Sequence, residues 1–128
     1  MMTGAVARLR VLVVEDEPLI GMDIEDAVAG LGHEVVGPVA ELDEALELAI
    51  IESLGCAILD INILGGTSYP VADILLKRGL PVLLLSGYGK HTLPERLHGE
   101  ARLPKPYTGE QLNKKIRDLC ARAVNSGQ

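Results

Sequence analysis

The sequence contains almost no aromatic residues: it has no Phe, no Trp and only three Tyr. A hydrophobic core built from it must therefore consist almost wholly of aliphatic side chains. Cysteine is also scarce, with two residues in the whole chain. Cys56 lies in an apolar, strand-like run and Cys120 in a late helix-like segment, so we expect buried, reduced thiols and not a disulfide framework. The three histidines show no metal-binding spacing with these thiols.

Positive charge is also in short supply. The chain has 12 Lys and Arg against 18 Asp and Glu, which gives a formal net charge of -6, and it shows no basic stripe. This balance disfavours a phosphate-backbone partner, so we predict no nucleic-acid binding. No apolar run approaches the length of a membrane span, and the N-terminal MMTGAVARLR lacks the apolar core of a signal peptide. We therefore expect a cytoplasmic protein without a membrane partner.

The chain does have the length and the aliphatic content of one globular domain. Its 128 residues are 48% hydrophobic and 23% charged, which is typical of a soluble folded protein. Strand candidates are RVLVVED (10–16), HEVVGPV (33–39), CAILDI (56–61), LPVLLLS (80–86) and ARLPK (101–105). Helix candidates are 18–31, 42–54, 71–78 and 108–123, with a weak one at 90–99. We expect a flexible N-terminal arm over residues 1–8, the domain over 9–124 and a short tail over 125–128.

The alternation of these segments predicts the fold class. The first, third and fourth strands are nearly continuous Val, Leu and Ile, which is typical of strands covered by helices on both faces. We therefore predict an α/β, flavodoxin-like (βα)5 three-layer sandwich. Its five-stranded parallel sheet would have the order 2-1-3-4-5.

Polar residues lie at the carboxyl ends of the predicted strands. Glu15 and Asp16 lie at the end of the first strand, Asp60 at the end of the third, Ser86 at the end of the fourth and Lys105 at the end of the fifth. In a doubly wound sheet, ligands bind beyond the carboxyl ends of the strands, and the first and third strands are neighbours there. Clustered acids repel one another, and an oxygen-rich, thiol-free site suits Mg²⁺ or Mn²⁺.

Such a site can carry phosphoryl chemistry. A carboxylate can attack a phosphoryl group and form an aspartyl phosphate. The reaction requires a metal ion, a second cation such as Lys105 and a hydrogen-bond donor such as Ser86.

Each of these residues also has an ordinary explanation when taken alone. Glu15 and Asp16 could cap the helix that begins near Pro18, because acids favour helix N-termini. Asp60 could form a turn, and Lys105 could be a solvated surface charge. Their joint placement at strand ends favours the site.

Four motifs occur in order over about residues 10–124: VLVVEDE, AILDIN, LLLSG and LPKPY. They resemble the acidic pair, the phosphoacceptor strand, the hydroxyl strand and the lysine–proline motif of response-regulator receiver domains from two-component signalling. The resemblance implies that Asp60 is the phosphoacceptor. It also implies Mg²⁺ or Mn²⁺ held by Asp60 and Asp16 directly, by Glu15 through water and by the backbone carbonyl of Asn62.

The same resemblance assigns the rest of the site. It implies that Ser86 and Lys105 bind the phosphoryl group, and that the Lys105–Pro106 peptide bond is cis. The usual proline four residues after the phosphoacceptor is Leu64 in this chain, and the usual switch aromatic is Arg102. We therefore expect a switch that involves Ser86 and Tyr88, with Arg102 as a recognition residue.

A subgroup can also be named. RGLPVLLLSGYG, followed by LPKPY, is similar to the FAT GUY receivers, which occur mostly in alphaproteobacteria. Gly87 and Tyr88 match the Gly-Tyr of that motif, whereas its aromatic before the hydroxyl is Leu85 here. That subgroup often acts with histidine kinases of the HWE or related class, in stress or light signalling.

The resemblance implies a phosphoacceptor in a phosphorelay and not an enzyme, apart from Mg²⁺-dependent self-phosphorylation and autodephosphorylation. Its partners would be a sensor histidine kinase or a phosphotransfer protein, and a downstream protein. Since no room remains after Gln128 for an output domain, we expect a stand-alone receiver; the alternative is a fragment of a hybrid kinase or of a larger regulator. An aspartyl-nucleophile phosphohydrolase is a further alternative, but such enzymes favour a second acid at the position of Asn62.

Overall fold

The computed structural model describes residues 8–87 and 93–126, with the side chain of Ser126 left out. A single parallel sheet organises this part of the chain, in the order β2-β1-β3-β6-β7. Its strands are β1 (Arg10–Val14), β2 (Glu34–Val39), β3 (Cys56–Asp60), β6 (Val82–Ser86) and β7 (Ala101–Pro104). The helices are α1 (Pro18–Gly30), α2 (Leu42–Ile51), α3 (Tyr69–Lys77) and α4 (Gly109–Ser126), and a short antiparallel hairpin comprises β4 (Asn62–Ile63) and β5 (Gly66–Thr67).

Helices cover both faces of the sheet, as the continuous apolar strands predicted. The side chains of Val11 and Val13 pack in one layer with α1 and α4. Those of Leu12 and Val14 pack in the other layer with α2 and α3. Because successive side chains of a strand point to opposite faces, one run of four aliphatic residues serves both layers. The predicted fold is confirmed, since β6 and β7 are the fourth and fifth strands of the five-stranded parallel sheet.

Helix boundaries follow local chemistry. Pro18 lies in the first turn of α1 and Pro70 in the first turn of α3, where the missing N–H costs nothing. Gly32 and Gly79 follow the ends of α1 and α3 with positive φ angles, which lets the chain turn back toward the sheet. The last helix continues to Ser126, beyond the end expected for the domain.

Two local elements differ from the expectation. Residues 62–67, which lie between the strand candidate 56–61 and the helix candidate 71–78, form the β4–β5 hairpin, and Gly65 in its turn and Gly66 at the start of β5 both have positive φ. In the segment 90–99, the described residues form a 3-10 turn, Glu95–Leu97, in place of a helix. The buried Leu97 anchors that turn to the core.

Several expectations lie outside the described residues. Tyr88 is one of them, and so is the N-terminal arm apart from Arg8. Among the described residues, no helix combines the length and the apolar character that crossing a membrane requires.

Candidate functional site

Three carboxylates converge at the carboxyl end of the sheet. Glu15 and Asp16 follow β1 directly, and Asp60 is the last residue of β3. Since β1 and β3 are hydrogen-bonded neighbours, one ligand oxygen from each acid lies within 4.8 Å of the others. Glu15 and Asp60 are buried, and Asp16 is half-buried.

The ammonium group of Lys105 lies beside these acids. Its Nζ is 3.2 Å from Oδ2 of Asp60 and 3.5 Å from Oε1 of Glu15. Its backbone N–H donates to the carbonyl of Ser86 at 2.7 Å, directly beyond the end of β6. The Lys105–Pro106 peptide bond is cis. Burial acts to lower the pKa of Lys105, but the charges of Asp60 and Glu15 outweigh it and the pKa is raised, so this side chain is a cation.

Glu15 is held by one hydrogen bond of its backbone and one of its side chain. Its backbone N–H donates to the carbonyl of Val39 at 2.9 Å, and its Oε2 accepts a hydrogen bond from the backbone N–H of Glu17 at 3.1 Å. Burial, with the nearby charge of Asp60, raises the pKa of Glu15 to about 7, while the Glu17 amide and Lys105 oppose the change. Like charges crowded out of water cause such a shift. A cation among the three acids would relieve it.

The donor set fits a hard divalent cation. All three side chains offer carboxylate oxygens, and the described residues near them include no thiol or imidazole. Mg²⁺ and Mn²⁺ prefer such oxygen ligands.

The remaining predicted residues take different places. Ser86 ends β6 and is buried near Lys105, whereas Asn62 begins β4 and is exposed. Among residues 8–87 and 93–126, no hydrogen bond or ion pair joins either side chain to the three acids. Arg102 is exposed on β7 and pairs with Leu84 in the sheet. The other switch residue proposed from the sequence, Tyr88, lies outside the described residues.

Two features of the site were missed in the sequence. One is the backbone amide of Glu17, which binds the Glu15 carboxylate. The other is an irregularity at Gly37–Pro38 in β2, next to Glu15. A Gly-Pro pair inside an apolar strand candidate indicates a bulge, so the irregularity in β2 could have been predicted from the sequence.

A groove opens on one side of Lys105. It has a volume of about 340 Å³ and is lined by Glu17, Ile20, Asp23, Lys105, Pro106 and Tyr107. It lies between the first turns of α1 and the loop that precedes α4.

Sequence comparisons identify several regulators. No family model matches the chain. Phyllosphere-induced regulator PhyR of Methylorubrum extorquens is 36% identical over 101 residues, which cover 76% of this chain and 38% of that protein. Transcriptional regulatory protein PdtaR of Mycobacterium tuberculosis is 33% identical over 103 residues, which cover 77% of this chain and 50% of that protein. The chain thus spans half or less of the length of these two relatives.

Solved structures extend the comparison to a chain of similar length. SdrG from Sphingomonas melonis is 32% identical with a TM-score of 0.74, and the match covers 91% of this chain and 97% of SdrG. The response regulator PhyR from Brucella abortus is also 32% identical, with a TM-score of 0.75 over 94% of this chain and 51% of that chain. A CheY-like receiver domain protein from Methanospirillum hungatei, at 21% identity and a TM-score of 0.77 over 93% of this chain and 98% of its own, shows the shared fold.

Proposed function

The chain belongs to the receiver domains of two-component response regulators, and we propose that Asp60 is its phosphoacceptor. One observation carries the proposal: the buried Asp60 carboxylate lies 3.2 Å from the Lys105 ammonium, inside a cluster with Glu15 and Asp16. Similarity to SdrG and to the PhyR proteins is consistent with the FAT GUY subgroup.

The chain's own residues divide the work of the transfer. A carboxylate oxygen of Asp60 attacks the phosphorus of a phosphohistidine, so a P–O bond forms while the P–N bond breaks and the imidazole leaves. Lys105 stays cationic and counters the negative charge of the phosphoryl oxygens. The Ser86 hydroxyl, at the end of the next strand, donates a hydrogen bond to one of these oxygens.

We propose that Mg²⁺, or Mn²⁺ in its place, binds Asp16 and Asp60 directly, Glu15 through water and the backbone carbonyl of Asn62. When bound, the metal neutralises charge on the phosphoryl group. Among the described residues, the ammonium group of Lys105 lies beside the three carboxylates, and this excess of negative charge would favour the binding of a cation.

We propose a sensor histidine kinase, of the HWE or related class, or a phosphotransfer protein as the donor. The groove beside Lys105 supports this proposal, because it combines the apolar Ile20 and Tyr107 with the acidic Glu17 and Asp23. A helix that carries the phosphohistidine with neighbouring basic side chains would suit that surface.

The signal would pass to a downstream protein from the surface near β6 and β7. Arg102 is exposed there, so it can pair with an acidic partner as a recognition residue. Ser86 and Tyr88 would form the switch, with Ser86 turning toward the phosphoryl group. A Tyr88→Ala variant that accepts phosphate on Asp60 but no longer binds the downstream partner would support this role.

The assignment of Asp60 as the phosphoacceptor can be tested with a small phosphodonor and with a phosphoryl analogue. Intact-mass spectra after incubation with acetyl phosphate and Mg²⁺ should show one phosphoryl adduct, and NMR spectra with beryllofluoride and Mg²⁺ should shift around the site. Asp60→Asn keeps the shape of the side chain and removes the nucleophile, so both responses should disappear. Asp73→Asn, on α3, is the matched control and should respond as the parent does. An equal adduct in the Asp60→Asn variant would refute the assignment.

A further inference from the structure

The edge strand β2 contains an irregularity directly beside the acidic pair. Its register against β1 pairs Leu12 with Val36 and then Val14 with Val39. Two residues of β2, Gly37–Pro38, therefore lie opposite a single residue of β1. This arrangement is a β-bulge, which bends the strand and redirects the residues that follow it.

Only glycine fits at the first position of the bulge. Gly37 has a φ of +109°, and a Cβ atom there would lie 2.7 Å from the carbonyl oxygen of Val13 and 2.9 Å from the backbone nitrogen of Val39. Both contacts are far shorter than a carbon atom tolerates, and both are with backbone atoms. Any side chain at this position must therefore displace β2 relative to β1.

Two observations link the bulge to Glu15. The carbonyl of Val39, the residue after the bulge, accepts the hydrogen bond from the backbone N–H of Glu15. The Pro38 ring and the Cγ atom of Glu15 both lie near Gly21 of α1, within 4 Å of the place where a Cβ of Gly21 would lie. The backbone of Glu15 is thus joined to the residue that follows the bulge, and its side-chain stem approaches the same point of α1 as the Pro38 ring.

We propose that the Gly37–Pro38 bulge is a positioning element of the metal site, acting through Glu15. The inference rests on the proposed function, because the site concerned is the one formed by Glu15, Asp16 and Asp60. In the proposed site Glu15 binds the ion through water, and groups of this outer shell orient the direct ligands, so a displacement of Glu15 weakens Mg²⁺ binding. The hydrogen bond that links the bulge to the site runs from the backbone N–H of Glu15 to the carbonyl of Val39, so the bulge acts on the placement of Glu15.

The test compares two glycines of similar backbone conformation. In Gly37→Ala the methyl group collides with backbone atoms, whereas in Gly79→Ala, at a φ of +80°, it meets no atom within 4 Å. Both variants carry the cost of a left-handed alanine, and only the first displaces β2. We titrate each variant with Mg²⁺ alone and monitor binding through the NMR chemical shifts of the backbone amides. The Mg²⁺ affinity should be about tenfold lower than that of the parent in Gly37→Ala and unchanged in Gly79→Ala.

A double-mutant cycle separates positioning from general destabilisation. In a Glu15→Gln background, Gly37→Ala should cause no further loss of Mg²⁺ affinity, because the residue through which the bulge acts is already altered. Additive losses in the double variant would overturn the inference. So would a Gly37→Ala variant whose melting temperature falls while its Mg²⁺ affinity stays that of Gly79→Ala.

A second variant covers the case in which Gly37→Ala does not fold. Pro38→Ala keeps the glycine and removes the proline ring, which approaches the same point of α1 as the side-chain stem of Glu15. A loss of Mg²⁺ affinity that is again absent in the Glu15→Gln background supports the inference. An unchanged affinity in Pro38→Ala contradicts it in that case. If the parent protein shows no Mg²⁺-dependent shifts, the proposed function itself fails; if the parent binds Mg²⁺ and the cycle is additive, only the role of the bulge fails.

Discussion

The two ends of the parallel sheet use charge in opposite ways. At the amino end, Arg10 lies between Glu34 and Glu52 and also donates to the carbonyl of Ser53, while Arg78 donates to carbonyls at the end of α2. Each guanidinium group there is matched by acceptors.

At the carboxyl end, within residues 8–87 and 93–126, three carboxylates lie together, and the ammonium group of Lys105 pairs with two of them, Asp60 and Glu15. Burial of unmatched like charge costs stability, so this end is held in place by the core and by backbone hydrogen bonds. At the amino end, paired charges connect neighbouring helices and strands. At the carboxyl end, an excess of negative charge favours the binding of a cation. Three variants test this difference.

The largest effect should come from Lys105→Met, which removes the ammonium group that pairs with Asp60 and Glu15. We expect the rate of Asp60 phosphorylation by acetyl phosphate to fall about 100-fold, since a preorganised charge next to the phosphoryl oxygens is lost. Mass spectrometry of the adduct over time measures it. Lys114→Met, on the exposed face of α4, should keep the parent rate; a parent rate in Lys105→Met would remove this lysine from the mechanism.

Arg78→Met should lower the stability of the protein and leave the phosphorylation of Asp60 unchanged. Loss of its hydrogen bonds to the carbonyls of Ala49 and Glu52 should lower the free energy of unfolding by about 1–2 kcal/mol, with phosphorylation of Asp60 unchanged. Urea denaturation and the acetyl phosphate assay measure the two quantities. Lys77→Met, one residue earlier and also exposed, is the control for stability. A slower phosphorylation of Asp60 in Arg78→Met would mean that the amino and carboxyl ends of the sheet are not independent.

The smallest effect should be a gain in stability, caused by the Asp16→Asn substitution. Asp16→Asn removes one of three crowded negative charges, so without Mg²⁺ the free energy of unfolding should rise by roughly 0.5–1 kcal/mol. Saturating Mg²⁺ should then stabilise the parent but not the variant, because a ligand stabilises only the state that binds it. Thermal melts with and without Mg²⁺ decide the matter. A destabilised Asp16→Asn variant without metal would contradict the account of surplus charge.

Much of the fold and of the site could be predicted because the signals are local. Runs of Val, Leu and Ile such as 11–14 and 82–85 indicate strands buried on both faces, and parallel connections leave few arrangements of such strands. The acids and Lys105 lie at the carboxyl ends of the predicted strands, so their common edge could be predicted from the topology. The hairpin after Asp60 was missed because two-residue strands have no hydrophobic periodicity to detect.

The sequence by itself determined which residues are buried, which end of the sheet is polar and which chemical groups meet there. Hydrophobic periodicity and strand polarity are properties of neighbouring residues, and they persist in any well-packed version of the fold. Tertiary structure alone decided the distances: Lys105 Nζ at 3.2 Å from Asp60, Glu15 tied to Val39, and Gly37 pressed against the backbone of β1. These depend on register and on contacts between residues far apart in the chain, where a displacement of a few tenths of an ångström decides whether a backbone clash or a hydrogen bond results.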